Sequence, residues 1–258
     1  MSDLQGRFVW YELMTTDREA AKAFYGNLVG WGAQDKQMPG MIYTILTVDD
    51  APVSGLMDLP AEARKMGAPP GWIGYVAVDD VDAATDRVKS LGGTVHVPPK
   101  DIPDVGRFSM VADPQGAVLA LFKSSNPGQD QPPVQRAPGR VGWHELLATD
   151  WEKAFPFYGE LFGWFKAEAV DLGAMGTYQL FASHEQTIGG MFTKPPMIPV
   201  PFWLYYFLVD DIDGATERVK AGGGQILNGP MQVPGGDWIV QGMDPQGAMF
   251  ALVGTRVG

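Results

Sequence analysis

Trp10 to Trp31 reads WYELMTTDREAAKAFYGNLVGW and Trp143 to Trp164 reads WHELLATDWEKAFPFYGELFGW, with 13 of 22 positions identical at a constant offset of 133. Two further blocks follow in the same order. Trp72 to Gly93 answers Trp203 to Gly224, and Asp113-Pro114-Gln115-Gly116-Ala117 recurs from Asp244 to Ala248, both at an offset of 131. Ordered blocks at nearly fixed spacing define an internal duplication, which must be found before any fold is assigned. Between the copies, Ser124 to Gly139 reads SSNPGQDQPPVQRAPG; its prolines and its lack of apolar periodicity predict a linker. The expected organisation is domain 1 over 1–125, a proline-rich linker over 126–139 and domain 2 over 140–258.

A fainter repeat lies inside each copy. Asp17, Ala20, Ala21, Leu28 and Gly30 match Asp80, Ala83, Ala84, Leu91 and Gly93 at an offset of 63, so each domain is expected to be a pair of half-size units. Within a unit, Phe8 to Met14 alternates as a strand, with Trp10, Glu12 and Met14 on one face. Thr16 and Glu19, like Thr149 and Glu152, have the spacing of a capping box, in which a threonine hydroxyl and a glutamate satisfy the first amide groups of a helix. Ala20, Ala21, Phe24 and Leu28 form the apolar stripe of that helix, and Gly30 ends it. Strands are expected over 32–38, 42–48 and 52–59, giving βαβββ. The second unit repeats the order with strands over 73–78, 94–97, 108–111 and 117–122 and a helix over 81–91 started by Asp79 or Asp80. Asp113-Pro114-Gln115-Gly116 has the residue types of a tight turn. The fold class is therefore α+β: two tandem domains, each a pair of βαβββ units forming a curved mixed sheet with helices outside.

Composition limits function. Thirty acidic against 19 basic residues give a net charge of −11. With no cluster of Lys and Arg, neither nucleic acid nor an anionic membrane surface is an expected partner. The absence of cysteine removes disulfides and thiolate chemistry and suits a reducing compartment. Met1-Ser2-Asp3-Leu4 has no basic flank or apolar stretch, so no signal peptide is expected. The most apolar window, 197–209, is short and holds Pro199 and Pro201. A cytoplasmic location is the expectation. No Walker loop, dinucleotide fingerprint or Gly-x-Ser-x-Gly is present.

Paired βαβββ units, a helix ending FYGNLVGW, the stretch from Val78 to Gly93 and DPQG before the last strand together resemble the vicinal-oxygen-chelate superfamily of glyoxalases, bleomycin-resistance proteins and extradiol dioxygenases. The tandem arrangement is similar to two-domain glyoxalase-like proteins. The resemblance covers nearly all of the chain outside the linker. It implies that paired units curve into a cup, and that active members hold a divalent metal there through His, Gln or Glu. Carried over residue by residue, those ligand positions fall on Trp10 and Trp143, on Ile73 and Leu204, on Ala120 and Ala251, and near Leu56 or Met57 and Met191 or Phe192. None of these side chains suits a hard cation, so no metal ligand and no cofactor is expected, a divalent metal being the disfavoured alternative.

Other residues remain as site candidates. Glu12 and Glu145 lie two positions beyond the lost ligand on the same strand face, where a partly desolvated carboxylate could act as general acid or base, or could simply accept bonds from a tyrosine, arginine or backbone amide. Trp10, Met14, Tyr75, Trp143 and Tyr206 are the candidate ligand-binding residues. Tyr43 and Tyr178 also correspond between the copies, with unsettled facing. Trp72 and Trp203 are expected to face the other way, as core or inter-domain residues. His144, on the helix side of its strand, is expected to be a hydrogen-bonded core residue, and His96 and His184 surface residues. Three functions follow: a metal-independent protein that binds a small organic molecule in an aromatic and apolar cup; a glyoxalase-type lyase, isomerase or hydroxylase-like enzyme in which Glu12 or Glu145 moves a proton; and, least favoured, an unconventional metalloenzyme that uses Glu12 and Glu145 with further ligands the family pattern does not reveal.

Overall fold

The computed structural model of the protein describes residues 4–38, 40–126 and 136–256. Most of the expected linker, 126–139, lies outside them. The first copy runs β1 (Phe8–Thr15), α1 (Arg18–Val29), β2 (Gly32–Met38), β3 (Met41–Val48), β4 (Ala51–Asp58), a short α2 (Ala61–Lys65), β5 (Gly71–Ala77), α3 (Val81–Ser90), β6 (Thr94–Ile102), β7 (Gly106–Ala112) and β8 (Val118–Ser124). The second runs β9 (Val141–Ala148), α4 (Trp151–Phe162), β10 (Phe165–Asp171), a single 3₁₀ turn at Gly173–Met175, β11 (Thr177–Ser183), β12 (Gln186–Thr193), β13 (Phe202–Asp211), α5 (Ile212–Ala221), β14 (Gln225–Gln232), β15 (Trp238–Met243) and β16 (Met249–Thr255). Each copy is thus twice βαβββ, as the repeats require. Among the described residues no helix is long and apolar enough to cross a membrane.

The strands form two mixed eight-stranded sheets, ordered β2-β3-β4-β1-β5-β8-β7-β6 and β10-β11-β12-β9-β13-β16-β15-β14. Within a unit the first strand pairs in parallel with the fourth: Glu12 sits opposite Gly55 and Glu145 opposite Gly190.

Two local expectations need correction. The helix caps are the aspartates, not the threonines. Asp17 has an extended backbone and accepts from the Ala20 amide at 3.0 Å, and Asp150 does the same for Lys153 at 3.2 Å. A carboxylate outcompetes a hydroxyl here because it also meets the positive end of the helix dipole. Strand β6 extends to Ile102, past the predicted end at Val97, because it is an edge strand whose irregular register accommodates Pro98 and Pro99. Gly30 and Gly163 close their helices in the left-handed region, with φ of 79° and 75°.

The chain divides into two compact units, and each draws on both copies. One holds residues 4–9, 74–126 and 143–203; the other holds 10–38, 40–73, 136–142 and 204–256. In the first, α3 packs on α4; in the second, α1 packs on α5. Each interior is aromatic. Tyr158 stacks on Trp164 at 5.5 Å and meets Trp203 edge-on at 5.3 Å, while Tyr25 stacks on Trp31 at 5.8 Å and meets Trp72 edge-on at 5.2 Å.

The buried tyrosines carry a polar link between copies. Tyr158, on the second copy's helix, donates its hydroxyl to Asp113 Oδ2 of the first copy at 2.8 Å, and Trp203 Nε1 donates to the Tyr158 oxygen at 3.2 Å. In the other unit Tyr25 donates to Asp244 Oδ2 at 3.1 Å, and Trp72 Nε1 donates to Tyr25 at 3.0 Å. These aspartates are the first residues of the two DPQG turns, which form as predicted. Asp113 Oδ1 accepts from the Gln115 and Ala117 amides, and Asp244 Oδ1 from the Gln246 and Ala248 amides. One carboxylate therefore closes a turn with one oxygen and ties down the other copy's helix with the second. Burial raises the Asp244 carboxyl, against the lowering effect of its hydrogen bonds.

Candidate functional site

In the unit holding Trp10, the strand face carrying Trp10, Glu12 and Met14 is joined by Tyr43 from β3. Trp10 Nε1 donates to the Tyr43 hydroxyl oxygen at 3.0 Å, and that hydroxyl bonds the Glu12 carboxylate. The other unit repeats the line: Trp143 Nε1 donates to Tyr178 at 2.8 Å, and Tyr178 donates to Glu145 Oε1 at 2.9 Å. Both glutamates are buried, at 6% exposure each. Met14 is buried too and lies opposite Met57 on the neighbouring strand.

Glycine makes the line possible. A methyl group at Gly55 would overlap the Tyr43 hydroxyl, and one at Gly190 would overlap the Tyr178 ring. These glycines sit directly opposite Glu12 and Glu145. The hydroxyl end of the tyrosine thus occupies the space of the missing side chain and reaches the carboxylate on the next strand. Burial, and next the charge of Glu12 or Glu145, raise the Tyr43 and Tyr178 hydroxyls well above the ordinary tyrosine value. Both tyrosines therefore stay protonated at neutral pH and act as donors to the glutamates.

Tyr75 and Tyr206 each fall in the other compact unit from the Trp and Glu of their own copy. Tyr75 is buried opposite Ala120, against Phe108 and Phe122 at ring distances of 6.4 and 6.1 Å. Tyr206 is buried opposite Ala251, and its oxygen accepts from Gln241 Nε2 at 2.8 Å. Trp72 and Trp203 lie in the cores, as predicted.

His144 is a core residue. It stacks on Phe8 at 4.0 Å and 7°, its Nδ1 lies 2.6 Å from the Ile188 carbonyl, and burial lowers its pKa to about 4. It is neutral at pH 7 and its Nδ1 carries the proton that the carbonyl accepts. His96 and His184 are exposed, and His184 touches the Gln5 carbonyl.

The resemblance carries the ligand positions of metal-binding glyoxalases and dioxygenases onto Trp10, Trp143, Ile73, Leu204, Ala120 and Ala251, and near Leu56 or Met57 and Met191 or Phe192. Indole nitrogen carries a proton and no usable lone pair, and alkyl side chains offer no donor. These residues do not fit a divalent ion. Among the described residues no three His, Cys, Asp or Glu side chains converge.

Fold and repeat define the class. The model of the Glyoxalase/Bleomycin resistance protein/Dioxygenase superfamily matches residues 7–121 and again 140–252, and the chain belongs to that superfamily. Among its relatives is the putative glyoxylase CFP32 of Mycobacterium tuberculosis, 36% identical over 96% of this chain and 95% of the relative. The anthracycline biosynthesis protein DauV of Streptomyces sp. strain C5 is 32% identical over 97% of this chain and 94% of that protein. The Mn(II)-bound glyoxalase of Novosphingobium aromaticivorans superposes with a TM-score of 0.65 over 97% of this chain and 82% of that one, at 15% identity. At that identity the likeness is one of fold.

Repetition of Tyr43 with Tyr178 and Gly55 with Gly190 at a shared offset of 135 was the signal for the third member of each line and its glycine floor. The alternation of β3 alone left the tyrosine's facing open.

Proposed function

We propose that the chain binds a small organic molecule on the aromatic faces that carry Trp10, Tyr43 and Glu12 and, separately, Trp143, Tyr178 and Glu145, without the divalent metal of its superfamily. The observation that carries this reading is the donor set. The ligand positions hold indole and alkyl groups, and the carboxylate left on each face is engaged by a tyrosine hydroxyl. Half-buried Trp beside an aliphatic side chain, Met14 or Leu147, and a fixed polar line suits a flat ligand that bears a polar edge. A relative named for anthracycline biosynthesis supports an aromatic ligand class. Nucleic acid and membrane are not partners in this reading, and the cysteine-free chain suits the cytoplasm.

The matched glutamates favour one second reading, a glyoxalase-type enzyme in which Glu12 and Glu145 shuttle a proton. A protonated tyrosine beside each carboxylate would steady its charge between turnovers. A thermal-shift screen over aromatic metabolites, followed by titration of Trp fluorescence, tests the binding reading; a ligand at 100 times its Kd adds about 2.7 kcal/mol. Glu12→Gln with Glu145→Gln should leave binding within a few-fold. Loss of a measured turnover by roughly 10²–10⁴-fold would establish the catalytic reading instead. A tightly held equivalent of Mn, Fe, Ni or Zn in protein purified without a tag would overturn the metal-free part.

A further inference from the structure

The two tyrosine faces, built from corresponding strands, have diverged in chemistry. In one unit, Tyr75, Ala120 and Met110 lie in register across β5, β8 and β7, and Val97 follows on β6. Phe108 and Phe122, themselves opposite one another, lie two residues along their strands from Met110 and Ala120 and so share that face. Apart from the Tyr75 hydroxyl and Lys100, which pairs with Phe108, these side chains are aromatic or aliphatic. In the other unit Tyr206, Ala251, Gln241 and Asn228 occupy the same register across β13, β16, β15 and β14. There Asn228 Nδ2 donates to Gln241 Oε1 at 3.2 Å, and Gln241 Nε2 donates to the Tyr206 oxygen at 2.8 Å. Gln241 stands where the sister face has Met110, and Asn228 where it has Val97, each at the repeat offset of 131.

The two bonds fix which end of the Gln241 carboxamide faces which neighbour. The line runs from exposed Asn228 through half-buried Gln241 to buried Tyr206. A site lined by fixed polar groups rejects a ligand that cannot bond to them, because covering those groups with hydrocarbon removes their water without replacing it. A Met and Phe surface imposes no such cost. We propose that Gln241 is a specificity-determining residue: the Tyr206 face takes a planar ligand edge bearing a hydroxyl or carbonyl oxygen, whereas the Tyr75 face takes an unsubstituted ring. This rests on the small-molecule reading above and deepens it.

The test uses the full chain and two near-isosteric probes, 1-naphthol and 1-methylnaphthalene, followed by NMR of side-chain amide and Met methyl signals with calorimetric titration. The expected result is that 1-naphthol shifts the Gln241 and Asn228 amides and that Gln241→Met weakens it there at least tenfold while strengthening 1-methylnaphthalene. Met110→Gln should confer 1-naphthol binding on the Tyr75 face. Methionine is what the sister face carries at this register, so Gln241→Met should fold; an unchanged backbone spectrum checks this, and Gln241→Glu is the second variant. Probes that bind at the Trp10 or Trp143 faces with no response at Gln241, or equal binding of both probes before and after Gln241→Met, would overturn this assignment and leave the binding reading standing. Failure of both probes to bind anywhere would overturn both.

Discussion

The two copies agree at the Trp–Tyr–Glu lines and disagree on the faces that carry Tyr75 and Tyr206. Trp10, Tyr43, Glu12 and Gly55 have identical counterparts in Trp143, Tyr178, Glu145 and Gly190, down to the hydroxyl end of the tyrosine set over a glycine. On the tyrosine faces, by contrast, Met110 and Val97 face Gln241 and Asn228 as counterparts, and on β1 and β9 Tyr11 corresponds to His144. Parts held alike meet a shared physical requirement, such as a carboxylate that must be neutralised by a donor once it is buried. Parts that differ carry no such requirement and are open to separate use.

The largest effect should come from the residues most alike. Asp113→Ala strips the acceptor from the Tyr158 hydroxyl and from the Gln115 and Ala117 amides, and should cost roughly 3–5 kcal/mol in denaturant unfolding, since each buried donor left unpaired costs about 1–3 kcal/mol. Asp244→Ala should match it, and a cost below about 1 kcal/mol for either would break the equivalence of the copies.

The His144 difference should show as a pH dependence of the unit that His144 shares with Phe8. Its folded pKa of about 4 lies below the ordinary 6.5, so the unfolded chain binds the proton more readily. Its contribution is therefore whole above pH 6.5 and is lost as pH falls towards 4, to a total of about 3 kcal/mol. Asp244, raised by burial, works in the opposite sense, with stability lost as pH rises through its folded value, so it cannot imitate this loss. Unfolding midpoints of the protein and of His144→Phe between pH 7 and 4 measure the difference; parallel curves would remove His144 as the cause.

A smaller effect is expected at the glycine floors. Gly55→Ala and Gly190→Ala should each cost about 1–3 kcal/mol by forcing the tyrosine off its glutamate, visible as a change in Trp fluorescence. Smallest is Tyr178→Phe, at about 1–2 kcal/mol, because it removes one hydrogen bond to the Glu145 carboxylate and leaves the packing of the ring in place. If Tyr43→Phe and Tyr178→Phe differed by more than that whole amount, the two lines would not be functional equals.

Much of this architecture is legible in the residues. The repeat offsets, the Trp10–Glu12–Met14 alternation and the DPQG blocks predict twice two βαβββ units, and those units form. What alternation cannot supply is partnership across distance. That Tyr43 reaches Glu12 depends on a glycine 12 residues further along that happens to be its strand neighbour's floor. That Asp113 serves Tyr158 depends on strands and helices of different copies entering one interior. The cap falls one residue from its expected place because threonine and aspartate are adjacent and both are competent caps, and the charge of the carboxylate at the helix dipole decides between them.

The crossed tyrosine–aspartate links have a consequence for the gene. Neither copy owns a complete interior, so a substitution behind the sheets of one is felt in the packing of the other. Met110 and Gln241, which have parted, lie on the other face of the strands and belong to no such crossed link.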